Sequence, residues 1–121
     1  MINTTMDKVL SAFGALNRVR NQVRGKTALD LFHLKNMLKE SVDFQVEEEQ
    51  KLVDEYGGLI TDAGSIIIAD KEKRAAFLKA RKELGEMECE VKTDPVRVDL
   101  DKNPDITMED IEQLDGFVIF E

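Results

Sequence analysis

The sequence predicts an α+β fold. Its parts are an antiparallel hairpin of two long helices, a further N-terminal helix, and a small β-sheet formed by the connector between the long helices together with strands near the C-terminus. Three observations carry this. Apolar residues recur at three- and four-residue spacing over two long stretches, on either side of position 60. A Gly-Gly pair and a run of β-branched residues separate those stretches. Near position 96 the period changes from helical to twofold. At 121 residues the chain is read as one domain, 1–121. A chain of this size buries roughly two thirds of its unfolded surface, enough for a core without staples.

The first helix is expected to start after Thr4 or Thr5, both good N-caps, with Asp7 favouring the positive helix end. Val9, Leu10, Phe13, Leu16 and Val19 or Arg20 give its apolar stripe, and Gly25 offers a stop. The second helix is expected to be capped by Thr27, with Asp30 three residues on. Leu31, Leu34, Leu38, Val42, Gln45, Leu52 and Tyr56 trace its stripe at heptad-like spacing, interrupted by Gln45 and Glu48/Glu49. Run to Tyr56, it would be about 29 residues and roughly 44 Å long. So long a helix draws its stability from packing and needs a partner.

Gly57 and Gly58 end that helix. "LIT" and "SIIIA" then flank the turn Asp62-Ala63-Gly64, which predicts a hairpin over Leu59–Ala69. Asp70 caps the third helix, whose buried face is read as Phe77, Ala80, Leu84, Met87 and Val91. Returning through a hairpin, it should lie antiparallel to the second helix. Val96, Val98 and Leu100 alternate with Arg97 and Asp99, a half-buried strand after Pro95. Thr107 and Asp110 start a short helix, Gly116 closes it, and "FVIF" is read as a last strand or extended segment. The connector's isoleucines need cover, because a lone hairpin is marginal in water. The C-terminal strands are expected to supply it.

Net charge is −8, unevenly spread. Residues 1–40 hold seven Lys/Arg against three Asp/Glu, and residues 41–121 hold ten against twenty-two. The acidic half disfavours direct nucleic-acid binding, which needs clustered Lys/Arg. It suits competition for a basic partner. The absence of Trp and the single Tyr leave no stacking platform for single strands. The lone Cys89 fits a reducing compartment. No apolar run reaches about 18 residues, and the N-terminus lacks a signal-peptide core. The expected location is the cytoplasm, without membrane contact.

Chemistry-bearing residues are few. His33, the single histidine, reads as a helix-face or core-edge residue. Cys89 lies between two acids in "ECEV", which disfavours a reactive thiolate. "EEEQ" at Glu47–Gln50 and "ELGEMECE" at Glu83–Glu90 read as solvated carboxylates, because consecutive helical residues diverge and preset no cage. "DLDKNPDITMED" puts Pro104 where a calcium loop turns on glycine and Asp110 where it closes on Glu, so an EF-hand is rejected. Phosphate-loop, dinucleotide and nucleophile-elbow motifs are absent. Arg18, Arg20, Arg24 and Lys26 gather near the first helix junction, but no recognition helix follows. No cofactor or metal is expected.

The order "ALNRVRNQVRGKTALDLFHLKNMLKE", then "EEEQKLVDEYG", then a closing "DIEQLDGFVIFE" resembles a family of small uncharacterised phage and prophage proteins. The resemblance implies a viral or mobile-element origin and brings no catalytic residues. The expectation is therefore a non-enzymatic phage or prophage accessory protein that binds another protein. In one form it inhibits a host defence system that targets nucleic acid. The acidic surface then does the binding, through Glu47, Glu48, Glu49, Glu109, Asp110 and Glu112. In the alternative it is a virion assembly or structural component that self-associates, or binds phage proteins, through apolar helix faces. An enzyme is a third reading, which would require a compact pocket with convergent, pKa-shifted groups.

Overall fold

The computed structural model describes all 121 residues. In chain order the elements are β1 (Ile2–Thr5), α1 (Met6–Val19), α2 (Gly25–Glu55), β2 (Leu59–Ile60), β3 (Ile66–Ile67), α3 (Lys71–Glu86), β4 (Glu88–Val91), β5 (Val96–Val98), α4 (Met108–Gln113) and β6 (Val118–Phe120). The class is α+β, built on the expected antiparallel hairpin of long helices. At 31 residues α2 is the spine, roughly 46 Å long. α1 packs along its first half and α3 returns along its second. The antiparallel sense shows in the pairing: Glu49 meets Arg81, while Val53 and Tyr56 meet Phe77 further out.

Local chemistry sets the helix starts. Thr5 accepts from the Lys8 amide, Asp70 from Lys73 and Thr107 from Asp110, each satisfying one free N–H of a first turn. The start of α2 departs from expectation. It begins at Gly25, two residues before Thr27, and Arg24 at the cap makes no side-chain bond. Gly25 takes a φ of 62°, which glycine alone adopts without strain, so the chain turns into the helix there rather than stopping.

The β structure also differs in its partners. The connector hairpin and the C-terminal strands do not share a sheet; there are three separate two-stranded pairs. β2 pairs only with β3, β5 pairs in parallel with β6 across a crossover containing α4, and β1 pairs antiparallel with β4. The connector is covered differently: Ile68 descends between the long helices and packs on Val53 and Phe77. That satellite core replaces the expected sheet. The β1–β4 ribbon was not anticipated, because "INTT" and "ECEV" are short and polar. Its only strongly apolar pair, Ile2 opposite Val91, closes over the main core. Met87 accordingly ends α3 on the surface, and Val91 is buried from a strand, not from the helix.

The main core runs from Ile2 to Val118 and takes in α1, the first half of α2, the strands near the C-terminus and Phe117. Phe117, Leu34, Leu38 and Leu114 are its largest fully buried side chains, each worth about 1.5–3 kcal/mol of burial. α4 is clamped to α1 by Arg18. Its Nε lies 2.9 Å from Oδ1 of buried Asp110, and it also donates to Gln113. No helix is long and apolar enough to cross a membrane.

Candidate functional site

The six acids expected to bind a partner fall on two elements and have unequal freedom. Asp110 is buried against Arg18 and serves to hold α4 in place. Glu49 accepts from Arg81 at 2.8 Å, so it belongs to the α2–α3 contact. Glu48 lies 2.9 Å from Lys51, one turn along α2. That hydrogen bond, with the nearby negative charge, holds the exposed Lys51 ammonium above its ordinary pKa. Glu47, Glu109 and Glu112 are exposed and bear no cation. The fold brings part of this set together around Asp7. Arg81 bridges Glu49 and Asp7, and on the other side Asp7, Lys8, Ser11, Glu112, Gln113 and Asp115 line a polar cleft of about 330 Å³.

The remaining chemical candidates stay apart. His33 is exposed on α2, its ring 5.8 Å from that of Phe32. Cys89 is half-buried, with Sγ 3.3 Å from the Ser41 hydroxyl. Asn3, Thr5, Lys8 and Glu88 line a wider polar cleft beside it, of about 690 Å³. No group of three or more His, Cys, Asp or Glu side chains comes together in a way that could hold a metal ion. Of the basic residues at the α1–α2 junction, Arg18 is taken by Asp110, while Arg20, Arg24 and Lys26 face solvent.

A more distinctive surface lies at the far end of the helical hairpin. Leu59 and Ile67 are direct cross-strand partners, so they share one face. They are 72% and 55% exposed, and Leu78 on the first half of α3 is 59% exposed. Ile67 and Leu78 rim a groove of about 300 Å³, with Phe77 and Ile68 beneath and Arg74 at its edge. The turn above it is closed by hydrogen bonds. The Thr61 amide donates to the Ser65 carbonyl, the Ser65 amide to the Thr61 hydroxyl, and Gly64 takes a φ of 83°. Sequence reasoning placed the hairpin but missed this surface. The signal was present: successive strand residues point to opposite faces, so Ile66, Ile67 and Ile68 cannot all be covered from one side. Exposed apolar side chains also stand elsewhere: Leu29, Phe32, Met37, Phe44 and Val46 along α2, and Met108, at 73%, on the first turn of α4.

The chain matches no family model, no curated protein and no solved structure.

Proposed function

We propose that this chain is a non-enzymatic binding protein that docks onto another protein through the apolar tip of its helical hairpin, in the manner of a phage or prophage assembly component. One observation carries the reading: Leu59 and Ile67 stay exposed on one face of the hairpin, and exposed Leu78 of α3 shares a groove with Ile67. Clustered large apolar side chains on an ordered scaffold characterise binding surfaces. The acidic surface is the second reading, as an inhibitor that competes for a basic, nucleic-acid-binding channel. It is favoured by Glu47, Glu109 and Glu112, which are exposed and have no cation partner. It is weakened by Asp110, Glu49 and Glu48, which are engaged inside the molecule.

Salt separates the two readings, because rim charges are screened and apolar contacts are not. A tagged chain would be used to capture partners from lysate of its natural host, alongside a Leu59→Ser/Ile67→Ser variant. Partners should survive high salt and be lost with the variant. Partners released by salt, kept by that variant and lost on reversing Glu47, Glu109 and Glu112 to Lys would establish the acidic reading instead.

A further inference from the structure

We propose that the partner seated on the hairpin tip is a second copy of this chain, docked head to tail with Met108 of one copy in the Ile67–Leu78 groove of the next. The inference rests on the tip being a protein-docking surface, and it names the occupant. Met108 is the most exposed large apolar side chain in the molecule. Its unbranched thioether can fill an irregular groove. The groove, at about 300 Å³ and with Phe77 and Ile68 below its rim, has room for such a side chain.

Charge complementarity selects this pairing. Around Met108 the exposed neighbours are Asp105, Glu109 and Glu112, an acidic collar. Around Leu78, helical spacing places exposed Lys71 and Arg74 on its own face, with Lys79 adjacent, a basic collar; Lys82, one turn on, lies 3.9 Å from Glu86. Each collar surrounds an apolar centre, and the two carry opposite sign. Within one copy they do not meet: α4 is clamped to α1, whereas the groove lies on the tip and α3, and both centres remain exposed. The interface joins two different surfaces, so each docked copy still offers one free knob and one free groove. Association of that kind continues into a chain or closes into a ring.

The test uses the full-length protein in sedimentation velocity from about 1 μM to about 1 mM, at low and high salt. Mass should rise with concentration at both salts, because the apolar centre carries the affinity and the collars mainly set encounter and register. Met108→Asp and Leu78→Asp change exposed positions, and circular dichroism would confirm that both variants fold. Each alone should weaken association by roughly tenfold or more, as for a central interface residue. Mixed in equal amounts they should form 1:1 dimers and nothing larger, because the mixture holds one intact knob and one intact groove. A mixture that stays monomeric overturns the head-to-tail geometry, as does wild-type association untouched by either variant. A wild type that is monomeric throughout overturns self-docking. The tip would still be a docking surface if Leu59→Ser/Ile67→Ser abolished capture of a different protein. Loss of both results would remove the tip reading itself.

Discussion

Gln45 sits on the buried stripe of α2 with 1% of its surface exposed, and neither its amide nitrogen nor its oxygen has a hydrogen-bond partner. An unmet buried polar group carries its desolvation penalty without return. Gln45→Met keeps the length and removes both polar atoms. It should raise stability by about 1–3 kcal/mol, measured by urea unfolding. A drop in stability would mean that the amide is satisfied in solution. Gln45 was legible as a stripe residue from its spacing with Val42 and Leu38. That it has no partner was not, because partners come from tertiary neighbours that no local pattern encodes. The same holds for the acids. Spacing gives Asp110 a place in the first turn of α4, but only the packing of α4 on α1 reveals that Arg18 consumes it.

Among the elements, α1 and α3 touch where the Asp7 carboxylate lies over Gly85. A Cβ on Gly85 would fall within that carboxylate. Gly85→Ala should push the exposed Asp7 carboxylate aside, off Arg81, and come out close to neutral, the lost contact offset by about 1 kcal/mol of helix propensity. In an Asp7→Ala background nothing is displaced and the same change should be stabilising. A double-mutant cycle by thermal unfolding reads that coupling, and purely additive effects would refute the contact. Helix existence, the caps Thr5, Asp70 and Thr107, and the turn at Gly64 were readable because each depends on neighbours a few residues away. The β1–β4 and β5–β6 pairings were not. Pairing depends on which strand edges the helices bring together, and two- to four-residue strands carry little pattern of their own.

At the scale of the whole molecule, α2 threads two cores of very different size. The main core holds the first half of the helix, and only Val53, Ile68 and Phe77 form the core at the tip. Opening of the tip should therefore be a separate, lower-energy event. Phe77→Ala removes the largest member, at about 3–5 kcal/mol. Amide hydrogen exchange should then quicken from Val53 through Leu78 while Leu34, Leu38 and Val98 keep their protection. Uniform loss of protection would show that the two cores unfold as one. The candidate docking surface stands on this weaker end, so substitutions beneath it would be read as binding defects unless folding were measured alongside.

The unbroken α2 has one more consequence. A helix rises 1.5 Å per residue and hardly compresses, so its length acts as a ruler between the bundle at one end and the tip at the other. Seven residues added to α2, with seven more in α3 to keep the hairpin in register, would carry the tip roughly 10 Å further out and turn it by only about 20°. Deleting a different number would swing the tip to another side. Both the reach of this protein and the direction in which it reaches are written in the count of residues between Gly25 and Glu55.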